Sequence, residues 1–570
     1  MRTTTNLSYM LVTLAAILLP RQATATVDVW VAGSTEKIQD RNRSPLPHDR
    51  IWDAATRTAS LDGVRGERVP FHVVITVEEE NRHGITLQAS DFRDGDNVLA
   101  ADQIQFFYEH LTKIYAPSGR HGKRGYWPDA LVPLTQPLRI NAAPLHFGLR
   151  KRNQPIWVEV TVPVGQQPGN YEGTITVSSD DGELGKVNVK LTVWDIALPE
   201  DRKFPVNIGL WEDHIAQMHD VDRDSAEFRE IFHQYVAFFL DQGFDPRTNP
   251  GLLGEMKDGK YVLECQQPEL EKLFLDGGRQ QFMICPKPMG VPVSHDENGF
   301  SEDYKGYVRE HCRQVIVRAK EHGWYDKLHF HMPIDEPKSA QAYETLRHWA
   351  AAVRPVDPSV PISLTEQPAP ENPAWGSLVG HIDAWIINGN YVYMDPGSIV
   401  ERKQAGDHVT WYISCDQLYP QPNMFIDREA ADMRMVSWIT ARYGMDGFLY
   451  WTATYWREVK DPWVDAVSWK CSPCNTPAAG EGSLIYPGHL VYKYTRQGNV
   501  DGPVGSLRLA MLREGFEELE LVQILRDLGG EEVADEIIGD ICRDLRDFSR
   551  DPNAIDAARD RIIQEILKRQ

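Results

Sequence analysis

Apolar and polar residues alternate along much of the chain between Val27 and about residue 200. The alternation is clearest in four segments, at residues 70–77, 155–162, 173–177 and 187–193. A period of two is typical of strands with one buried and one solvated face. The pattern therefore predicts an N-terminal β-sandwich over residues 26–200. Because it carries no cluster of titratable groups along the sequence, we expect this domain to give support or to contact carbohydrate.

After residue 204 the pattern changes to short apolar runs separated by amphipathic helical stretches, which include residues 228–242, 307–322, 340–353 and 429–442. Eight strands that alternate with helices predict a (β/α)8 TIM-like barrel, whose catalytic groups lie at the C-terminal ends of its strands. We place this catalytic domain at residues 201–488. The eight candidate strands are residues 204–210, 243–246, 282–285, 328–332, 362–365, 384–387, 409–413 and 448–451.

The last part of the chain, residues 489–570, is predicted to be a helical region docked on the barrel. Apolar residues recur there at three- and four-residue spacing, with charged outer faces, in segments 507–528, 531–548 and 554–567. The fold class is therefore multidomain: a β-sandwich, a central barrel and a C-terminal helical segment.

The first 25 residues have the features of a secretory signal peptide. An apolar run at residues 10–19 precedes Ala23-Thr24-Ala25, which has the small-x-small form of a signal-peptidase site. The run is too short to span a bilayer, and no later segment of the sequence reaches that length. We expect an exported protein, periplasmic or extracellular after cleavage near Ala25, without membrane insertion.

Composition narrows the classes of partner. With 82 Asp and Glu against 60 Lys and Arg, the formal net charge is -22, which disfavours nucleic acid and anionic membranes. The 7 cysteines are an odd number and too few for a disulfide framework. Cys471 and Cys474 have no second pair at metal-ligand spacing, which favours a local disulfide over a zinc or redox site.

The fourth candidate strand leads into two adjacent carboxylates, Asp335 and Glu336. Pro333 ends the strand, Pro337 prevents regular continuation, and a helical stretch follows, so the pair lies where a barrel keeps catalytic groups. The alternative is a solvated acidic turn that caps the next helix. Neighbours on an extended backbone point to opposite sides, so this pair is not expected to face itself across a sugar as in a conventional glycosidase.

Substrate-assisted cleavage of a 2-acetamido sugar has a different requirement. The acetamido oxygen attacks the anomeric carbon, one carboxylate orients the acetamido group, and its neighbour protonates the leaving group. A contiguous Asp-Glu pair suits this division. The spacing His331-x-x-x-Asp335-Glu336 is also similar to the His-x-Gly-Gly-Asp-Glu motif of the family 20 hexosaminidases, with Pro333 and Ile334 in place of the glycines.

Further segments resemble glycoside hydrolase family 123, a family of β-N-acetylgalactosaminidases whose C-terminal region is known as domain of unknown function 4091. The resemblance covers the second half of the barrel and the start of the helical region, whereas the sandwich agrees only in architecture. The segments are Asp335-Glu-Pro, Asp427-Arg-x5-Arg434-x3-Trp438, Asp446-Gly-Phe-Leu-Tyr-Trp451, Glu481-Gly-Ser-Leu-Ile-Tyr-Pro-Gly488 and Ser506-Leu-Arg-Leu-Ala-Met-Leu-Arg-Glu-Gly515.

The resemblance implies that Glu336 is the general acid/base and that Asp335 holds the acetamido group and stabilises an oxazolinium-like intermediate. A general acid must be protonated when substrate arrives, which the Asp335 charge and a Trp-lined pocket would favour. The implied partner is a glycan, either an oligosaccharide, a glycolipid or a glycosaminoglycan-type chain, and no cofactor or metal is implied. The preference for N-acetylgalactosamine rests on the resemblance alone.

Aromatic residues near the eighth strand are candidates for a sugar platform, because an aromatic face packs on the apolar face of a pyranose. Tyr450 and Trp451 lie at the end of that strand, where barrel core is the alternative for either one. Trp456 and Trp463 lie in the following loop, which makes a core position less expected for them.

Tyr393 and Tyr412 are candidates for donating a hydrogen bond to the acetamido carbonyl. His329 and His331 share one strand face, but a metal site would need a third ligand that the sequence does not identify. We therefore interpret His331 as a hydrogen-bond partner of Asp335 or of a sugar hydroxyl.

Two alternative functions stay open at this point. In a conventional retaining glycosidase on a non-acetamido sugar, Glu336 would be the acid/base and Asp416, just past the seventh strand, the nucleophile. A non-catalytic glycan-binding protein would keep the barrel and its aromatic surface. The intact Asp335-Glu336 pair argues against that second alternative.

Overall fold

The computed structural model describes residues 26–41, 50–142, 151–297, 299–457, 459, 461–466, 470–471 and 476–570. The predicted signal peptide, residues 1–25, lies outside them, as do Cys474 and the side chain of Cys471. Two sheets come first, then eight parallel strands with intervening helices, then a group of helices. The predicted fold class is confirmed.

The N-terminal domain is a sandwich of two mainly antiparallel sheets. Val, Ile and Leu side chains on the facing sides of both sheets form one core. The first sheet has the order Val27–Gly33, Arg68–Glu78, Lys151–Thr161, Ile104–Ile114 and Gly125–Pro133. The second has the order Leu138–Ile140, Arg82–Ala89, Gly169–Ser179, Gly182–Ala197, Thr58–Arg65 and Trp52–Asp53, with the short hairpin Phe92–Asp94 and Asn97–Leu99 beside it.

The outer face of the first sheet is buried, although its alternating pattern predicts a solvated face. His72, Glu109 and Asp129 have no exposed surface there, and His72 pairs with Glu109 at 2.7 Å. The reason is that the C-terminal helix Leu507–Asp527 docks on this face, with Arg508 bonded to Asp129. The expectation that the sandwich lacks clustered titratable groups is therefore wrong, since these charges lie far apart in the sequence and meet only in the fold.

The central domain is a barrel of eight parallel strands, numbered β1 to β8 here. Hydrogen-bonded neighbours follow the order β2-β1-β8-β7-β6-β5-β4-β3, and β2 does not pair with β3 among the described residues, so the barrel is nearly closed. Each strand lies within two residues of its predicted bounds. The strands are β1 Val206–Gly209, β2 Asp245–Arg247, β3 Phe282–Ile284, β4 Leu328–His331, β5 Ile362–Thr365, β6 Ala384–Asn388, β7 His408–Ile413 and β8 Gly447–Tyr450.

Helices surround the barrel and continue into the C-terminal region. Serine side chains cap several of them, and the Ser301 cap starts one helix five residues before its predicted beginning. The helix predicted at residues 531–548 ends at Ile541, because Cys542 has an extended backbone. The longer helices are Glu212–His219, Ala226–Asp241, Pro268–Asp276, Glu302–His322, Ala340–Val353, Pro396–Gln404, Ala430–Arg442, Leu507–Asp527, Glu531–Ile541 and Pro552–Leu567.

Candidate active site

Asp335 and Glu336 lie in the loop after β4, at the C-terminal mouth of the barrel. The backbone of Glu336 has φ +42°, in the left-handed region that costs a non-glycine residue about 1–2 kcal/mol. Its N–H donates to the carbonyl of Thr365, at the end of β5, over 3.1 Å. The pair is therefore held in a strained turn and not in the extended backbone that the sequence suggested. Strain of this kind is concentrated at functional sites.

The two carboxylates have different neighbours. Tyr412, near the end of β7, donates its hydroxyl to Glu336 Oε1. Burial and the Glu336 charge both raise the pKa of Tyr412, so its hydroxyl keeps its proton. Asp335 lies near Arg247 of β2, where burial lowers the pKa of the guanidinium and the Asp335 charge opposes this effect.

Both members of the pair are exposed at the mouth. The enclosed, Trp-lined pocket expected around them from the sequence is therefore not found among the described residues. Two of the tryptophans that could have formed it pack elsewhere: Trp456 is 3% exposed and bonded to Ser483, and Trp463 is 1% exposed in a cluster with sandwich residues. Their loop folds back against the sandwich, which the local sequence does not reveal.

His331 is not a partner of Asp335. Its Nε2 is 2.9 Å from Arg247 Nη2 and its Nδ1 is 3.0 Å from Ser363 Oγ. A guanidinium can only donate, so Nε2 must accept, and the single proton of the neutral ring lies on Nδ1 and is donated to Ser363. Burial, followed by the Arg247 charge, holds the pKa of His331 well below its usual value, which fits the neutral ring.

Arg247 was missed by sequence reasoning. Among the described residues, the bond to His331 is the one hydrogen bond of its side chain, so most of the guanidinium N–H donors have no protein acceptor. Pro246 and Pro250 interrupt the apolar pattern of the second strand in the sequence. The signal that could have identified Arg247 is its place as the last residue of a barrel strand.

Asp416, the alternative nucleophile, lies in a polar cluster after β7. One carboxylate oxygen accepts from Ser414 Oγ at 2.5 Å, and the other accepts from Asn390 at 3.0 Å and from Asn388 at 3.5 Å. Both oxygens already have donors within the protein. This arrangement suits a group that organises the loop after β6, which carries the two asparagines.

Glu366, directly after β5, is a second carboxyl group that the sequence analysis missed. It is 4% exposed, and burial raises its pKa to about 7, with the Glu371 and Glu336 charges acting in the same direction. The N–H of Gln367 and the charge of Lys338 oppose this shift. A carboxyl group that titrates near neutral pH therefore lies beside Glu336.

An aromatic cluster lines another part of the mouth. The Trp451 ring, after β8, lies 5.4 Å from Trp211 and 4.9 Å from Tyr455, measured between ring centroids. Trp211 follows β1 and is 38% exposed. Of this cluster, only Trp451 was identified from the sequence, because the local sequence does not distinguish an aromatic residue at the mouth from one in the barrel core.

Two other predicted aromatic contacts are not available to a sugar. Tyr450 has no exposed surface and faces the helices outside the barrel, where its hydroxyl accepts from the N–H of Gly482 at 3.0 Å. Tyr393 is 38% exposed in the short helix Gly389–Met394, with the Arg546 guanidinium 4.0 Å from the centre of its ring. No contact among the described residues joins Tyr393 to the carboxylate pair.

The described part of the chain contains no group of three or more His, Cys, Asp or Glu side chains that could hold a metal ion. Among the same residues, no helix is both long and apolar enough to cross a bilayer.

Two family models match the chain. The model of the glycoside hydrolase 123 catalytic domain matches residues 282–525, and that of the glycoside hydrolase 123 N-terminal domain matches residues 45–179. Together they cover about two thirds of the sequence, including both predicted catalytic carboxylates. No curated protein matches the chain.

A solved structure of a family 123 glycoside hydrolase from Clostridium perfringens, whose structural analysis concerns glycolipid glycan hydrolysis, is similar over the whole fold. Its TM-score is 0.69 at 14% identity, over 95% of this chain and 98% of that one. A family 39 glycoside hydrolase from Bacteroides cellulosilyticus WH2 has a TM-score of 0.36 at 11% identity, over 76% and 81% of the two chains. A GH5 xyloglucanase from Bacteroides ovatus has a TM-score of 0.32 at 12% identity, over 81% and 99%. Only the first of these supports the fold.

Proposed function

The chain belongs to glycoside hydrolase family 123, and we propose that it cleaves β-linked N-acetylhexosamine, with N-acetylgalactosamine favoured, by a substrate-assisted retaining mechanism. One observation carries the proposal: adjacent carboxylates after β4 have separate neighbours, with Glu336 at the Tyr412 hydroxyl and Asp335 near Arg247. Two adjacent groups with different surroundings can take different roles on one sugar.

In the first step, protonated Glu336 gives its proton to the glycosidic oxygen. The acetamido oxygen attacks the anomeric carbon as the bond to the leaving group breaks, and the aglycone departs with that electron pair. The Asp335 carboxylate accepts the acetamido N–H and stabilises the positive charge that develops on the oxazolinium ring. Tyr412 keeps its proton and donates it to Glu336 Oε1.

In the second step, the Glu336 carboxylate removes a proton from water, and the resulting oxygen attacks the anomeric carbon. The bond to the acetamido oxygen breaks, the acetamido group is restored, and the sugar leaves with retained configuration. Trp451, Trp211 and Tyr455 offer aromatic surface to the pyranose at the same mouth.

The natural substrate proposed here is a glycan with such a residue, as an oligosaccharide, a glycolipid or a glycosaminoglycan-type chain. The similarity to the C. perfringens enzyme, which is described with glycolipid glycan hydrolysis, supports the glycolipid member of this set. We also propose export to the periplasm or the exterior, because of the signal-like sequence at residues 1–25.

The test is hydrolysis of 4-nitrophenyl β-GalNAc beside the β-GlcNAc, β-galactoside and β-glucoside analogues. We expect turnover of the acetamido sugars alone, inhibition by a thiazoline analogue, and a loss of about 10²- to 10⁴-fold in Asp335→Asn. Glu336→Gln should keep more activity on 4-nitrophenyl than on alkyl glycosides, because nitrophenolate leaves without a proton. Asp416→Asn is the matched control and should stay active.

Turnover of plain galactoside or glucoside that survives Asp335→Asn and fails in Asp416→Asn would contradict the proposal in favour of a conventional glycosidase.

A further inference from the structure

The Trp451 ring is fixed by a buried carboxyl group from a distant loop. Its indole N–H donates to Glu481 Oε1 over 2.7 Å. Glu481 is 1% exposed, and burial raises its pKa to about 7. A buried polar group is retained where its hydrogen bonds are made, so this contact selects one orientation of the indole.

The next residue, Gly482, packs closely against the same indole ring. Its φ is +68°, and a Cβ there would lie 2.6 Å from Trp451 Cζ2 and 2.9 Å from Tyr455 Cβ. The backbone N–H of Tyr455 donates to the carbonyl of Gly482 at 2.7 Å. A side chain at this position would therefore move the indole or its aromatic neighbour.

One buried arginine holds this loop. The Nη1 group of Arg508 donates to the carbonyls of Gly480 at 2.7 Å and Met424 at 2.9 Å, and Nη2 donates to that of Ser483 at 2.6 Å. Nε and Nη2 also donate to Asp129 at 2.8 and 2.7 Å. All five N–H donors of the guanidinium are used. Two of the five acceptors, the carbonyls of Gly480 and Ser483, lie on either side of Glu481 and Gly482 in the sequence.

Asp129 belongs to the sandwich strand Gly125–Pro133, whereas Arg508 belongs to the C-terminal helix Leu507–Asp527. We infer that loop 480–483 is a clamp that sets the position of Trp451 in the active site, and that the sandwich holds this clamp through Asp129 and Arg508. Glu481 and Gly482 are thus positioning residues. The sandwich serves the catalytic barrel by fixing this loop.

The role given to Trp451 rests on the proposed function, but the clamp itself has a readout that does not depend on activity. Protein labelled with 5-fluorotryptophan gives one ¹⁹F signal for each indole, and Trp451→Phe identifies the signal of Trp451. We expect Glu481→Leu to move and broaden that signal, because the hydrogen bond is lost. Glu481→Gln keeps an acceptor oxygen and should restore most of it.

A matched control exists on the outside of the barrel, where Trp385 donates to Asp407 Oδ2 at 2.9 Å. Asp407→Asn should move the Trp385 signal and leave that of Trp451 in place. Asp129→Asn keeps the shape of the sandwich anchor and removes its charge. We expect it to move the Trp451 signal, although Asp129 belongs to another domain.

On the acetamido substrate, Glu481→Leu should raise KM by about 5- to 10-fold and change kcat less, because a mobile ring weakens sugar binding. An unchanged Trp451 signal in Glu481→Leu overturns the clamp. An unchanged signal in Asp129→Asn overturns the part played by the sandwich. If the wild type hydrolyses none of the substrates, the proposed function fails, while the fluorine signals still decide the clamp.

Discussion

Arg508, at the interface of the sandwich and the barrel, and Arg247, at the barrel mouth, are two arginines with opposite surroundings. Arg508 has no exposed surface, and its donors bond to one carboxylate and three carbonyls. The Arg247 side chain has one hydrogen bond among the described residues, to the neutral ring of His331. At the interface the arginine is fully hydrogen-bonded within the protein, whereas at the mouth N–H donors of the arginine stay available to a ligand.

The same contrast extends beyond the two arginines. At the interface, Arg434 bonds to Glu518 and Asp556, and Arg559 bonds to Glu67, so charges from distant segments neutralise one another. A buried charge without a partner is costly, and a fold keeps such a group where a ligand completes it. We therefore expect the interface to determine stability and the mouth to determine substrate binding. Substitutions at the interface and at the mouth test this expectation.

The largest effect is expected from Arg508→Met. It leaves Asp129 buried without its ion-pair partner and removes a donor from each of three carbonyls, which should lower the free energy of unfolding by about 3–5 kcal/mol. Urea unfolding measures this. The control is Arg543→Met on the surface, where the side chain is 80% exposed and the change should stay within about 0.5 kcal/mol. A loss below about 1 kcal/mol in Arg508→Met would contradict the structural role of the interface.

A smaller effect, on KM and not mainly on stability, is expected from Arg247→Met. Hydrogen bonds to a charged group contribute about 1.5–3 kcal/mol, so KM should rise roughly 10- to 150-fold if the free donors of Arg247 bind the sugar. The unfolding free energy should fall less than in Arg508→Met, because one hydrogen bond, to His331 Nε2, is lost and no ion pair. Arg247→Lys keeps the charge without the planar fork and should recover only part of the affinity. An unchanged KM would show that the N–H donors of Arg247 do not bind the substrate.

The sequence predicts the barrel well because each strand is a short apolar run between turns. A strand that is buried on both faces can be recognised from its own residues, whichever strands pair with it. The position of Asp335-Glu336 follows from the same argument, since the end of β4 is visible in the sequence. Family resemblance adds the roles of the two residues. No contact with a distant segment is needed for any of this.

What the sequence could not predict depends on packing between distant segments. The polar face of the first sandwich sheet looks solvated until the C-terminal helix covers it, about 380 residues later for Asp129 and Arg508. Trp463 is buried because its loop meets sandwich residues such as Ala130 and Val132. Arg247 ends a barrel strand, and Trp211 and Glu366 each follow one, but their residue types are common at such positions, so only the fold distinguishes them.

The smallest effect is expected from Glu366, which lies at the mouth but is buried like an interface group. Its pKa of about 7 means that it gains a negative charge as pH rises through neutrality. That charge repels the other negative charges at the mouth, among them the carboxylate of Glu336. In Glu366→Gln the charge is absent, so the alkaline limb of kcat/KM should move to lower pH by roughly half a unit.

The pH profile of kcat/KM on 4-nitrophenyl β-GalNAc measures this shift. Well below pH 7 Glu366 is neutral in the wild type, so its glutamine variant should match the wild type there. Glu371→Gln is the control, because Glu371 is exposed and paired with Lys338 at 3.0 Å. It should move the limb less than Glu366→Gln. Equal shifts in both variants would mean that surface charge, and not the buried carboxyl group, sets the alkaline limb of the profile.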